Sequence, residues 1–537
     1  MPQCGRMSGG PGTTLASHTR IPFPRLVILA ATLFVLLSGC SLSNPFAGNG
    51  SPPPTATPVN IHDTIAFENQ QPGTTTWAIP EGDLATTEIQ AYASATSVAP
   101  GENLTFYVSV LHDGTPYTLS IYRLGWYDGD GGRLLYSSKL VGQSQGYFDA
   151  SHGALVSCGS CSVDRSTGLV EANWQPALTL AIPSSWVTGV YFAKFTDIGG
   201  KQTYVQFDVR GLPTSAYVVS TSDATYEAYN NWGGYSLYLG PDGTDATRAV
   251  KVSFDRPNAG PGLTQGLPYE IDAIRWMERQ GYDVSYVSSV DLAEHPELLL
   301  QHKAYINLGH DEYWSKSMRD GIEAARDAGI GLAFLGANDG YWQIRFEADS
   351  HTTPDRTIVC YKVAANDPLF GKQNALVTVN WRDNLIGRPE NALIGIMYSS
   401  WSQAVGFPWQ VSANASSPLL EGTSLVPGNT YGCDYVGYEW DHVFDNGKTP
   451  AGLHILGASR VTSHDGTVDV SNTAYYVAPS GALVFASGSI YWSFALDSYR
   501  MFDPNGCSGQ SQQAQPGMQR LLANVMQTLI VRQTPGR

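Results

Sequence analysis

From about residue 62 to 211 polar and apolar residues alternate in short runs. LTFYVSV (104 to 110) and YTLSIYRL (117 to 124) have the period of strands with one buried face. The runs are punctuated by APGE, HDGTP and DIGGK, which have the chemistry of tight turns. GVYFAKFTD and TYVQFDVRG continue the pattern, so this stretch predicts an antiparallel β-sandwich of immunoglobulin-like size, assigned to residues 62–212.

Past Pro213 the period changes. SAYVVST is a nearly continuous apolar strand, and PYEIDAIRWMERQGY (268 to 282) places Ile271, Ile274 and Met277 at helical spacing before Gly281. VSYVSS, a short helix over LAEHPELLLQH, KAYINLG, the helix SKSMRDGIEAARDAG capped by Ser315, and GLAFLGAND follow in alternation. Strands alternating with helices imply right-handed crossovers and a mostly parallel sheet, with ligands gathered beyond the carboxyl ends of the strands. GHDEYW (309 to 314) and GANDGYW (336 to 342) each follow a buried strand. Helix capping alone accounts for one acidic residue near a helix start; it does not account for the repetition.

The first 61 residues read differently. Arg6, Arg20 and Arg25 precede the apolar run LVILAATLFVLL (26 to 37), too short to span a bilayer, and Leu37-Ser38-Gly39-Cys40 has the small residues and the thiol of a bacterial lipobox. Residues 1–40 are therefore expected to be a lipoprotein-type export signal with Cys40 as the lipidated residue. Residues 41–61, rich in Pro, Ser and Thr, are expected to form a tether at the bacterial cell envelope. A plain cleaved signal that happens to contain a cysteine is the alternative.

Composition narrows the partners. With 31 Lys+Arg against 47 Asp+Glu, a formal charge of -16, the chain has no basic surface to neutralise a phosphate backbone, which excludes nucleic acid. In an oxidising compartment Cys158 and Cys161, in VSCGSCSV, most simply close a small disulfide loop; a zinc site would need a second such pair. Cys360, Cys433 and Cys507 stay unassigned. WYDGDGGR (126 to 133) lacks the ligand ladder of a calcium loop and reads as a glycine-rich turn, and VTSHDGTVD (461 to 469) as a hairpin turn.

Several stretches in fixed order carry a resemblance: YASATSVAPGE (92 to 102), IYRLGWYDGDGGRLL (121 to 135), YEAYNNWGGYSLY (226 to 238), LGHDEYWS (308 to 315), FLGANDGYWQIR (334 to 345), VNWRD (379 to 383), GYEWD (437 to 441) and SGSIYWSFALD (487 to 497). Together they resemble the large (beta) subunit family of N,N-dimethylformamidase, from about residue 85 to the end. The resemblance implies a glutamine amidotransferase-like α/β domain over residues 213–537 that holds a mononuclear iron (Fe3+) by two tyrosines and one glutamate. Carried onto this chain, the ligands are Tyr313 in HDEYW, Tyr341 in NDGYW and Glu439 in GYEWD, with Glu421 and Glu312 as substitutes for the glutamate.

Two phenolates and a carboxylate are hard oxygen donors whose three charges match a trivalent ion. A phenol with an ordinary pKa near 10 ionises at neutral pH only beside a strong cation. His310 is the candidate for orientation or proton transfer, and Asn338 for hydrogen bonding to the bound carbonyl. Each has a plainer reading: Tyr313 and Tyr341 as packed rings, Glu439 as an ion-pair partner, His310 as an ordinary hydrogen-bonded residue, and AYNNWGG as either a turn or a pocket wall. The expected function is hydrolysis of a carbon-nitrogen amide bond in a small amide or a surface polymer by a lipid-anchored enzyme. The alternatives are a glycan- or ligand-binding surface lipoprotein without catalysis, and a glycosidase using Asp311 and Glu439. Self-association and a small accessory subunit stay open.

Overall fold

A computed structural model describes residues 64–259, 266–501, 504 and 513–533. The expected export signal, Cys40 and the tether lie outside the described residues. So does Cys507.

The alternating runs near the N-terminus build two facing sheets. One holds Ile89–Ala93, Asn103–Val110 and Pro176–Ala181; the other holds Ser97–Val98, Gln202–Val209, Gly189–Asp197, Pro116–Leu124 and Gly132–Val141, in those orders. Every second residue of Asn103–Val110 points inward, and Phe106 meets Phe195 and Phe207 of the opposite sheet at ring distances of 5.7 and 6.1 Å. Leu104, Val108, Leu119 and Val209 complete this core. Cys158 and Cys161 are joined by a disulfide, Cys433 is disulfide-bonded, and Cys360 is a free buried thiol.

Beyond residue 213 the chain forms a seven-stranded mixed sheet. Its elements are β1 (Tyr217–Ser220), α1 (Asp223–Tyr229), α2 (Leu267–Gln280), β2 (Val284–Val287), β3 (Ala304–Gly309), α3 (Lys316–Asp327), β4 (Gly331–Gly336), β5 (His454–Thr462), β6 (Val468–Val477) and β7 (Leu483–Ala486). The strand order is β2-β1-β3-β4-β7-β6-β5. The first five strands pair in parallel and the last two antiparallel. β1, β3 and β4 are buried at every residue, which is why their sequences are runs instead of alternations.

Local signals fix the helix ends. Gly281 closes α2 in the left-handed conformation (φ 68°), and the Ser315 hydroxyl accepts from the Met318 N–H at 3.2 Å to start α3, which buries Met318, Ile322 and Ala325. LAEHPELLLQH is not one helix. An α-turn runs over Ser289–Glu294, His295 leaves helical geometry (φ -132°), and a 3-10 segment covers Pro296–Gln301. The proline ring forbids its predecessor the helical region.

The change of period at Pro213 is not a gap in packing. Tyr122, Leu124, Val190 and Phe192 of the second sheet share a core with Ile274, Trp276 and Met277 of α2. Arg123 and Glu278 form a fully buried ion pair at 2.8 Å across the same junction, so Ile61–Arg537 is one unit. WYDGDGGR belongs to this junction: Tyr127 is buried, and its hydroxyl donates to Glu68 at 2.8 Å. Among the described residues no helix is long and apolar enough to cross a membrane.

Candidate active site

β3 and β4 lie side by side with Gly309 opposite Gly336, so the two loops that follow leave the sheet together. A Cβ on Gly336 would stand 1.9 Å from the Gly309 carbonyl oxygen, an approach only glycine permits. The loops are tied to each other. The Asp311 N–H donates to Asp339 Oδ1 at 3.2 Å, and the Gly340 N–H donates to the Asp311 carbonyl at 2.8 Å. Asp311 Oδ2 also accepts from Asn307 Nδ2 (2.6 Å) and Trp314 Nε1 (2.7 Å). Asp311 thus clamps the loop to its own strand and to its neighbour.

Two groups of side chains converge above this clamp. In the first, the carboxylate of Glu312 accepts from two phenols: Tyr229 at 2.8 Å, and Tyr238 at 2.6 and 2.7 Å to its two oxygens. The phenol oxygens are 3.1 Å apart and the rings stack at 4.3 Å. Tyr229 ends α1, and Tyr238 follows the NNWGG turn. Thr225, one turn before Tyr229 on the same helix face, accepts from the Glu312 N–H at 2.9 Å and fixes that backbone beneath the phenols. The ammonium of Lys362 stands 3.5 Å from the centre of the Tyr238 ring.

In the second group, His310 Nε2 lies 3.2 Å from Glu439 Oε2 and 3.6 Å from Glu312 Oε2, while Nδ1 lies 3.3 Å from the Tyr438 hydroxyl. Asn338 Nδ2 donates to the same Glu439 oxygen at 2.9 Å. Asn338 has a left-handed backbone (φ 58°), and its N–H donates to Asp441 Oδ1 at 2.9 Å. A narrow cavity lined by Thr225, Tyr226, Tyr229, Tyr269, His310 and Tyr438 opens onto both groups.

Electrostatics separates them. Burial works against a charged His310, yet the Glu439 carboxylate, with Glu312 behind it, outweighs burial and raises the imidazole to about 9. Burial raises Glu312, with His310 and Lys362 pulling the other way. Burial, then the neighbouring Glu312 charge, pushes the Tyr229 and Tyr238 phenols well above their usual value, so both stay protonated and donate to the carboxylate. Burial also lifts Asp311 and Asp441 to about 7.

Of the three expected ligands, Tyr313 adjoins the first group, its buried phenol within reach of Tyr238 and of the Glu312 charge, whereas the described contacts of Tyr341 and Glu439 lie elsewhere. Tyr313 is buried beside Cys360 and Leu237, with its ring 6.4 Å from that of Tyr238. Tyr341 packs against Tyr398 at 5.5 Å under the Arg382 guanidinium. Glu439 stands with His310 and Asn338 as above. Glu312, the substitute glutamate, is the one flanked by two phenols. Tyr229 and Tyr238 are the residues that the sequence reading left without a role. Their signal is the run of tyrosines around NNWGG, a turn after which Tyr238, nine residues on, folds back onto Tyr229.

A family model described as "N,N-dimethylformamidase beta subunit-like, C-terminal" matches residues 118–508, well over half of the chain. No curated protein matches. Among solved structures, the sporulation control protein Spo0M of Bacillus subtilis is 13% identical over 24% of this chain and 51% of its own, at a TM-score of 0.15. A cycloisomaltooligosaccharide glucanotransferase of Paenibacillus sp., solved with cycloisomaltoheptaose, is 10% identical over 55% of this chain and 36% of its own, at a TM-score of 0.16. The chain thus spans about half the length of the first and about a third of the second, and such scores carry no argument.

Proposed function

Because the chain belongs to the N,N-dimethylformamidase beta subunit-like family, we propose that it hydrolyses a linear carbon-nitrogen amide bond at the meeting of the β3 and β4 loops. The observation that supports this is the adjacency of a protonated imidazole held by a carboxylate and a separate cluster of two phenols on a second carboxylate. An amide needs both an electrophilic aid at its carbonyl and a proton for its departing nitrogen.

The family resemblance calls for iron, and the first cluster suits it better than the set expected from sequence. The oxygens of Tyr229, Tyr238 and Glu312 stand 2.6 to 3.1 Å from one another, and these hard donors would hold a trivalent ion once the phenols gave up their protons. Our reading therefore moves the ligand set from Tyr313, Tyr341 and Glu439 to Tyr229, Tyr238 and Glu312. When bound, a trivalent ion supplies Lewis acidity to the amide carbonyl.

The remaining work falls to the chain's own groups. Glu439, oriented by Asn338 Nδ2, is the base that takes a proton from the attacking water. His310 holds a proton at Nε2 beside it and delivers that proton to the leaving nitrogen. Tyr438 accepts from Nδ1–H and keeps the ring in place. Aromatic walls at Tyr229, Tyr269 and Tyr438 favour a small substrate with apolar nitrogen substituents.

We extend the proposal to the architecture and the address. The facing sheets are read as immunoglobulin-like, the α/β region as glutamine amidotransferase-like without that fold's thiol chemistry, and the enzyme as envelope-anchored through Cys40. The test is metal analysis and visible absorbance of protein purified from membranes, with amine release from a dialkylamide measured in parallel. Bound iron, a phenolate band and amine release are expected. A colourless, metal-free protein that releases no amine returns the chain to the alternative of a surface binding protein.

A further inference from the structure

α1 has only seven residues, and two cavities use its two sides. Thr225 and Tyr229 face the candidate active site, whereas Asp223 and Glu227 line a separate cavity of about 70 Å³ between α1 and the N-terminal sheets; Tyr226 borders both. One water needs about 10–15 Å³ of such volume, so this second cavity has room for roughly five non-hydrogen atoms.

Its polar lining resolves into paired and unpaired groups. Arg256 is spent entirely: Nε donates to Glu227 at 2.7 Å, and Nη1 and Nη2 donate to the carbonyls of Trp232, Tyr235 and Asn230. Arg356 is paired with Asp255 Oδ1 through Nε (3.0 Å) and Nη2 (2.7 Å). Asp223 has no cationic partner among the described residues. Its Oδ2 accepts from the Thr221 hydroxyl at 2.9 Å and the Ser289 N–H at 3.2 Å, and its Oδ1 bonds to no other described residue.

The same Thr221 oxygen lies 2.6 Å from Asp208 Oδ2. One hydroxyl has one proton, so it can donate to only one of these carboxyls, and the other acid must carry its own proton. Burial followed by the Asp223 charge pushes Asp208 well above the ordinary range, whereas burial raises Asp223, which Thr221 and Ser289 hold down, only to about 6. The proton therefore sits on Asp208, and Asp223 turns a negative charge toward the cavity.

The wall also holds Ala91, Ala93 and Ala95 beside the rings of Tyr92 and Phe254, with Thr96, Gln206 and Asn258 as neutral polar groups. One unpaired carboxylate among methyl groups and aromatic rings is the setting that recognises an alkylated cation. We propose that this cavity is a second binding site, for a small alkylammonium ion held by Asp223. Its source rests on the amide-hydrolase reading. Water plus an N-alkyl amide gives a carboxylate and an amine, which takes up the proton released and becomes the ammonium ion, so the natural ligand is the product. α1 then joins product occupancy at Asp223 to Tyr229 in the active site.

Calorimetric titration of the full chain with dimethylammonium chloride, against potassium chloride at equal ionic strength, tests the site. Saturable binding is expected, weakened at least tenfold by Asp223→Asn and also by Ala95→Leu, which fills the cavity, and unchanged by His310→Gln. Ala95→Leu decides the matter should Asp223→Asn fail to fold. Absence of saturable binding, binding indifferent to Ala95→Leu, or binding lost only in His310→Gln overturns the proposal. Amine release from a dialkylamide is followed separately. Protein that binds the ion but hydrolyses nothing keeps this site and loses the functional reading, and the converse result removes only the site.

Discussion

The loops after β3 and β4 look like copies: glycine, two or three polar residues, then tyrosine and tryptophan, leaving neighbouring parallel strands whose glycines are in register. Their chemistry differs. The first loop places His310 and Glu312 where they meet partners from α1 and from the Glu439 strand. The second supplies support: Asn338 steadies Glu439, and Asp339 accepts from the backbone of Asp311. The two tyrosines that make the loops look alike part company, Tyr313 lying behind Tyr238 and Tyr341 lying under Arg382. Repetition in sequence here marks equivalent backbone paths. It does not mark equivalent chemistry.

The sharpest way to break that comparison is to remove one carboxylate from the first loop. Glu312→Gln keeps the shape but removes the anion that both phenols share, and kcat/KM for amide hydrolysis is expected to fall on the order of a thousandfold or more. A loss under tenfold would put the chemistry elsewhere. Next come the tyrosines. Tyr229→Phe and Tyr238→Phe should each weaken and shift the visible phenolate band of iron-loaded protein, the double variant should abolish it, and each single change should weaken iron binding by at least about tenfold, whereas Tyr341→Phe should leave both unchanged. The reverse pattern in absorbance titrations would restore the set read from sequence.

Asn338 separates backbone from side chain within the second loop. Asn338→Ala and Asn338→Gly both remove the hydrogen bond that orients Glu439, and both are expected to lower kcat about 10- to 100-fold. Only alanine also strains the left-handed backbone at φ 58°. Its urea midpoint should therefore correspond to about 1 kcal/mol less stability than the glycine variant. Equal stabilities would mean that the loop relaxes.

Much of this architecture is legible in the sequence because it rests on local rules. The alternation around Phe106, the buried runs of β3 and β4, the Ser315 cap and the Gly281 stop each follow from residues within one turn or one strand. The site is harder to read because its partners come from distant stretches. Glu312 draws on Tyr229 and Tyr238 through a turn and a helix end, and His310 draws on Glu439, more than a hundred residues later. Neither the side of α1 that Tyr229 occupies nor the turning of Tyr341 toward Tyr398 is encoded in spacing. The Pro296 break, by contrast, was local and available.

The smallest effect concerns stability alone and lies on the support side. Asp441 accepts the Asn338 N–H, and burial chiefly raises it to about 7, with Glu390 adding to the shift and the Asn338 N–H and Arg382 opposing it. An aspartate in the unfolded chain titrates near 3.9. Between about pH 4 and 7 the folded protein therefore keeps a proton that the unfolded chain has lost. Stability must fall as pH rises through that window, by at most about 1.4 kcal/mol per pH unit from this group, and level off above it. Asp441→Asn still offers Oδ1 to the Asn338 N–H but cannot ionise, so urea unfolding of metal-free protein from pH 4 to 8 should show a shallower decline than wild type. Other buried acids, Glu270 among them at about 8, leave a residual slope in both proteins. The difference between the two curves therefore isolates Asp441, and superimposable curves would show that Asp441 keeps no proton that the unfolded chain loses.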